Sequence, residues 1–335
     1  MDTMLETVLD FAVPASVITF ARNLSLQPND TAGSTVLNTN SLFTITEDDF
    51  AEMAKFTCYA QELRHLTDPF FLGSRRFIGM VGGPFDSGKR NKAMELHRNL
   101  EQRVHEIFNG SSQYFVLCRR MKGLCTRIDE LTEWYIAEAD SISLQLDDIV
   151  NSGHKYGKVT ELFEKCGRDI KLLTDFFNKW SEIAADLGET AKSIEMEYKV
   201  FNDFFHNDLP SKIDYIPPHI EQLADIFKND GFVQFMGDLS NQYNGILAML
   251  HSAKITSKCL PKPALNHMVI YLGHIGTYYN DVQTKIISAK DTFLNAENAE
   301  SVRILSGALK QSKESWLLSE KVSQTFLRMS EKYIR

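Results

Sequence analysis

Residues 83–89 read Gly-Pro-Phe-Asp-Ser-Gly-Lys and fit the spacing GxxxxGK. Glycines at such positions let backbone N–H groups turn toward a phosphate, and the lysine adds a cation. Gly83, Gly88 and Lys89 are therefore the candidate phosphate-contacting residues. The pattern is incomplete. Arg90 stands where a Ser or Thr hydroxyl would hold magnesium, and Pro84 removes one N–H donor. A loop of this kind also needs alternating strands and helices around it. Residues 77–81 are the one short strand-like stretch, and the rest of the chain reads as helix.

Other chemistry-bearing patterns are weaker still. His97 and His105 are too far apart for a ligand pair on one helical face. His267 and His274 share a face but lack a nearby carboxylate pair. No HExxH or GxSxG occurs. Asp48-Asp49 begins a helix, and Asp147-Asp148 reads as solvated helix surface. Cys58, Cys118, Cys125, Cys166 and Cys259 are odd in number and include no CxxC. That spacing argues against a disulfide framework or a zinc site and favours a reducing compartment. Cys118, Cys125 and Cys166 fall on or beside apolar stripes, where cysteine acts as a small hydrophobe. The expectation is a protein without catalytic residues, metal or cofactor.

Composition narrows the partners. The formal net charge is −8 and lysine and arginine never concentrate, so no nucleic-acid footprint is expected. Residues 1–22 carry Asp2, Glu6 and Asp10 and no basic n-region, which argues against a secretory signal peptide. No run approaches the roughly 18–20 apolar residues of a spanning helix. The chain is expected to be soluble, made in the cytoplasm, and exported, if at all, by a route outside the Sec pathway.

The elements that position these residues are long helices. In residues 159–205, steps of 4 and 3 join Val159, Phe163, Cys166, Ile170, Leu173, Phe177, Trp180, Ala184, Leu187, Ala191, Ile194, Tyr198, Phe201 and Phe205. Such steps keep side chains on one helical face. Tyr114, Leu117, Met121, Leu124, Ile128, Leu131 and Tyr135 form a second stripe. A four-residue step to Ala139 shifts its register, and Ile142, Leu146 and Ile149 resume it. Such a stutter predicts a local mismatch where it packs. The polar stretch 151–157 joins the two stripes into an antiparallel hairpin over 113–205.

Around this hairpin, Thr46 with Asp49 caps a helix that Asp68-Pro69 ends. Residues 69–90 read as a glycine-rich loop, followed by a helix over about 91–108 ended by Asn109-Gly110. Pro210, Pro217 and Pro218 break the chain before a helix from Ile220 to about His251. Pro261 and Pro263 mark the next turn. Stripes over 265–293 and 302–333 supply two further helices with a link at 295–300. The predicted architecture is all-α: an irregular arm over 1–42, then an elongated bundle of long antiparallel helices over 43–335 with coiled-coil-like packing.

Most aromatic residues fall on the stripes and belong to the core. Two groups have a second reading as membrane contacts: Val13, Val17, Ile18 and Phe20 in the arm, and Phe70 and Phe71 in the expected loop. Packing against the bundle is the favoured reading for both.

This layout resembles the α-helical pore-forming toxins of the cytolysin A type, in particular alpha-xenorhabdolysin-like binary toxin components. Residues 43–50, Phe-Thr-Ile-Thr-Glu-Asp-Asp-Phe, with Met53, Lys55 and Phe56, look like the opening of that family's first bundle helix. The resemblance implies a soluble rod that self-associates on a target membrane, contacts lipid and works with a second toxin-like subunit. Members carry an apolar insertion segment at one end of the rod. Here the hairpin tip is polar, so insertion would fall to a partner subunit or to residues 8–20, or would have been lost. Two other functions are compatible with the residues: an intracellular helical scaffold, and a degenerate nucleotide binder using residues 83–89.

Overall fold

The computed structural model describes residues 47–80, 87–228 and 262–333, with positions 248 and 251. The described elements are helices: α1 (Glu47–Met80), α2 (Ser87–Asn151), α3 (Val159–Lys165), α4 (Ile170–Asp203), a π-helical turn (Phe204–Asp208), α5 (Leu209–Lys228), α6 (Lys262–Leu294) and α7 (Ala299–Tyr333). Among the described residues the only β pairing is an isolated bridge between Tyr156 and Asn298. The fold is thus an all-α bundle of long helices. The arm over 1–42 lies outside the described residues, as does most of the helix expected to end near His251.

The chain divides into two compact units. The first holds Arg119–Met196 and His267–Lys332. Its four long helices, α2, α4, α6 and α7, run antiparallel to their neighbours in the bundle, with the short α3 between α2 and α4. Arg120 bonds Ser193 and Arg127 pairs with Asp186, which sets α2 against α4. Lys290 bonds Asn178, and Gly276 lies against Lys192, which sets α4 against α6. The Tyr279 and Trp316 rings join α6 to α7 at 6.1 Å. Asp129, Asp140 and Asp147 on α2 meet Gln324, Lys313 and Lys310 on α7 and close the circuit.

At the predicted register shift, Tyr135 and Ala139 are both buried. Large rings fill the site. Tyr135 lies 4.9 Å from Trp180 and 4.9 Å from Trp316, and Trp134 stacks on Phe176 at 5.9 Å.

The stripe over 159–205 is interrupted. Helix α3 ends in a Schellman turn: Arg168 N–H donates to the Phe163 carbonyl and Gly167 N–H to the Glu164 carbonyl. Gly167 has φ +65, a conformation that costs a glycine little. Asp169 then caps α4 by accepting from Lys171 N–H at 2.8 Å. Cys166 and Ile170 keep the helical spacing across the gap, which disguised it in the sequence. The turn over 151–157 folds back onto the α6–α7 link, where Val159 N–H donates to the Ala296 carbonyl at 3.0 Å.

The second unit is built from the described parts of Ile45–Cys118 and Glu197–Asn266, with Tyr333. Here three expected breaks are helical. Pro69 sits inside α1. A proline in a helix interior costs about 3 kcal/mol. Burying Phe70 and Phe71 just beyond it returns roughly 1.5–3 kcal/mol each, so the helix continues. Residues 69–80 are therefore helix and not loop, and 77–80 are not strand. Asn109-Gly110 lies inside α2, because Gly110 makes room for the Phe204 ring and caps nothing.

Pro210, Pro217 and Pro218 do not break the chain either. Asp203 and Leu209, which flank the π-turn, both have right-handed helical backbone. The π-turn lies just before Pro210, which cannot donate to the carbonyl four residues back. Pro217 and Pro218 stand inside α5, where His219 Nδ1 lies 2.6 Å from the Tyr215 carbonyl oxygen and the two rings stack at 3.7 Å. Phe205, Leu209, Ile213, Ile216, Ile220 and Leu223 are all buried, so one apolar stripe runs through the prolines.

Candidate functional site

Gly88 and Lys89 are exposed in the first turn of α2, and Gly83 lies outside the described residues. The residues just before, 77–80, form the last turn of α1. The strand that a phosphate loop would follow is helix here. Phe70 and Phe71, the described membrane-contact candidates, are in the core at 4% and 3% exposure, with their rings 5.4 Å apart. Val13, Val17, Ile18 and Phe20 lie outside the described residues.

Near this end of the α1–α2 pair is an open cleft of about 370 Å³. Arg75 and Ile78 of α1 face Arg90, His97, Arg98 and Glu101 of α2 across it. Positions 90, 94, 97, 98 and 101 share a face of α2 because they follow steps of 3 and 4. Met94 contributes a partly exposed apolar surface.

The groups in the cleft differ in how they are held. His97 is 4% exposed. Its Nε2 lies 2.9 Å from the Phe71 carbonyl oxygen. A carbonyl only accepts, so Nε2 carries the proton in the neutral ring. The edge of the imidazole meets the Phe71 ring at 5.3 Å, and Nδ1 lies 3.8 Å from Glu101. Glu101 also accepts a bond from Arg75 at 2.5 Å. Arg90 and Arg98 are exposed and make no hydrogen bond or ion pair with another described residue. The cleft therefore gathers three guanidinium groups against one carboxylate, which is already engaged.

Four described groups outside the cleft have perturbed acidities with plain packing causes. Burial pushes the Cys118 and Cys125 thiols up to about 12, which removes them as nucleophiles near neutral pH. Hydrogen bonding from Lys212 holds Glu106 below the usual carboxylate range, against opposing desolvation. The Lys310 ammonium and then the Ser306 hydroxyl do the same for Asp147. Among the described residues no group of three or more His, Cys, Asp or Glu side chains is placed to hold a metal ion. No described helix is long and apolar enough to cross a membrane.

The cleft was not apparent from the sequence. Arg75 falls in residues that read as loop, so its position opposite Glu101 could not be inferred. The signal available was the face 90–94–97–98–101 with its excess of cations. No protein-family model matches the chain, and no curated protein or solved structure is significantly similar to it.

Proposed function

We propose that this chain is a non-enzymatic, toxin-like helical protein that binds or permeabilises membranes by self-association, alone or with a second subunit of similar build. The observation that carries this reading is the hairpin end of the first unit. There a short turn after Asn151 leads from α2 into α3, α4 follows at Ile170, and this end leaves apolar side chains in solvent. Leu144 is 67% exposed, Tyr156 in the turn 84%, and Leu172 at the start of α4 55%. Transferring such side chains from water is favourable by about 1.5–3 kcal/mol each when complete. A polar turn flanked by such residues fits surface contact with lipid better than spontaneous spanning.

The likeness to the cytolysin A type rests on layout and on the short opening segment over 43–50. Length supports it: α2 has 65 residues, whereas ordinary helices average about 11–12. Dye release from vesicles, with cross-linking to read assembly, tests the proposal. The parent chain is expected to bind vesicles and form oligomers on them. L144E/L172E, at two exposed positions, is expected to lose at least tenfold in binding. Failure to bind vesicles of any composition would overturn the reading.

The same exposed residues favour a second function, a helical scaffold that docks other helices. That reading requires a lipid-independent oligomer or partner complex that L144E/L172E abolishes.

A further inference from the structure

We propose that the cleft between α1 and α2 binds a phosphate dianion, the terminal group of a phosphate monoester or of a diphosphate, through Arg90 and Arg98. Arginine presents a planar fork of donors that matches two phosphate oxygens at once. Arg75 is tied to Glu101 at 2.5 Å and so forms a fixed wall. The same carboxylate lies 3.8 Å from His97 Nδ1, so its charge is directed into the wall of the cleft. Arg90 and Arg98 remain without an acidic partner among the described residues. They line the same 370 Å³ space, large enough for a phosphorylated small molecule or a lipid headgroup.

The surroundings point the same way. The chain as a whole is acidic, with a net charge of −8, yet this cleft is cationic. Helix α2 begins at Ser87, one turn before Arg90, so its N-terminal dipole adds partial positive charge close by. Ile78 and Met94 give the cleft an apolar side for the carbon part of the ligand. The incomplete GxxxxGK motif is not needed for this site, because the phosphate is held by guanidinium groups on one helix face.

This site does not rest on the membrane reading, since a soluble phosphate would satisfy it equally. The test uses the full chain and two probes. Titration calorimetry with pyrophosphate reads a soluble ligand. Co-sedimentation with phosphatidylcholine vesicles, with and without phosphatidic acid, reads a phosphomonoester headgroup. R90Q/R98Q changes two exposed side chains, and R76Q, an exposed arginine that does not line the cleft, is the control. Circular dichroism verifies that each variant is folded. The expected result is saturable binding of at least one probe, weakened tenfold or more in R90Q/R98Q and less than twofold in R76Q. Binding confined to phosphatidic acid vesicles assigns the lipid headgroup; binding of pyrophosphate assigns a soluble phosphate. The proposal is overturned if neither probe binds, if R90Q/R98Q stays within twofold of the parent, or if R76Q loses as much. Dye release that persists in R90Q/R98Q would separate this site from the membrane activity.

Discussion

Gly110 lies against the far end of the Phe204 ring, so closely that a Cβ at position 110 would overlap the ring atoms. The contact locks α2 to the π-turn between α4 and α5. It also reverses the usual effect of a helical glycine. Replacing glycine by alanine in an open helix interior gains about 0.5–1 kcal/mol. Gly123, on the same helix, has nothing within 4 Å of its would-be Cβ. Chemical denaturation should therefore show G123A stabilised by about that amount. G110A should be destabilised by about 1–3 kcal/mol through overpacking. The double variant G110A/F204A should recover part of the loss. Equal effects of G110A and G123A would refute the close contact.

Tyr135 joins three elements of the first unit. Its ring touches Phe176 and Trp180 of α4 and stacks on Trp316 of α7, and its hydroxyl meets the Ser312 hydroxyl. Y135A should cost about 3–5 kcal/mol, as for other large buried aromatics. Y135F should cost only about 1 kcal/mol, because the ring packing survives and Ser312 still donates to the Leu309 carbonyl. Tryptophan fluorescence followed through urea denaturation measures both. A Y135A loss below about 1 kcal/mol would show that the cluster contributes little.

These contacts also mark what the sequence made legible. The apolar stripes predicted the helices well, because a 4-3 step reports one face whatever the fold. They failed where local and tertiary preferences conflict. Pro210, Pro217 and Pro218 looked like breaks, yet Leu209, Ile213, Ile216, Ile220 and Leu223 continue the stripe and bury fully. Pro69 was overruled in the same way by Phe70 and Phe71. Gly110 read as a cap because its contact, Phe204, is 94 positions away in the chain. Conversely, a real break at Gly167 was hidden, since Cys166 and Ile170 preserve the spacing across it. The sequence offered one readable signal there, a glycine followed two residues later by the capping Asp169. The arginine cleft was illegible for the first of these reasons: an erroneous loop separated Arg75 from Glu101.

Asp147 supplies a pH-dependent contact between α2 and α7. It accepts from the Ser306 hydroxyl at 2.6 Å and from the Lys310 ammonium at 2.7 Å. Those partners hold its carboxyl below the ordinary aspartate range. A depressed folded-state value means that the unfolded chain takes up the proton first as pH falls. The contribution is therefore full at neutral pH. It declines as pH drops through the ordinary aspartate range and is gone below the folded-state value. Asp147 and Lys310 are 38% and 55% exposed, so solvent screening limits the pair to about 0.2–1 kcal/mol. D147N should be less stable than the parent by that amount at pH 7, with a smaller gap at 1 M salt. Urea unfolding at a series of pH values should show the gap closing in acid. A gap that persists at the acid limit would exclude the linkage.

Thiol chemistry should separate the cysteines by burial. Cys58 is exposed on α1, Cys166 is half-buried, and Cys118 and Cys125 are fully buried. Cys118 also faces the Tyr198 hydroxyl at 3.8 Å. Burial raises the Cys118 and Cys125 thiols to about 12, so at pH 8 only about one in 10,000 of either would be thiolate even if reached by reagent. In a C259S background, which removes the one cysteine outside the described residues, a disulfide reagent should react fastest at Cys58. C58S should abolish that phase and leave a slower one from Cys166. Cys118 and Cys125 should react only as fast as the protein opens, so their rate should rise with urea together with unfolding. Labelling of Cys118 in the native protein at a rate near that of Cys58 would mean that α2 is not packed against Tyr198 in solution.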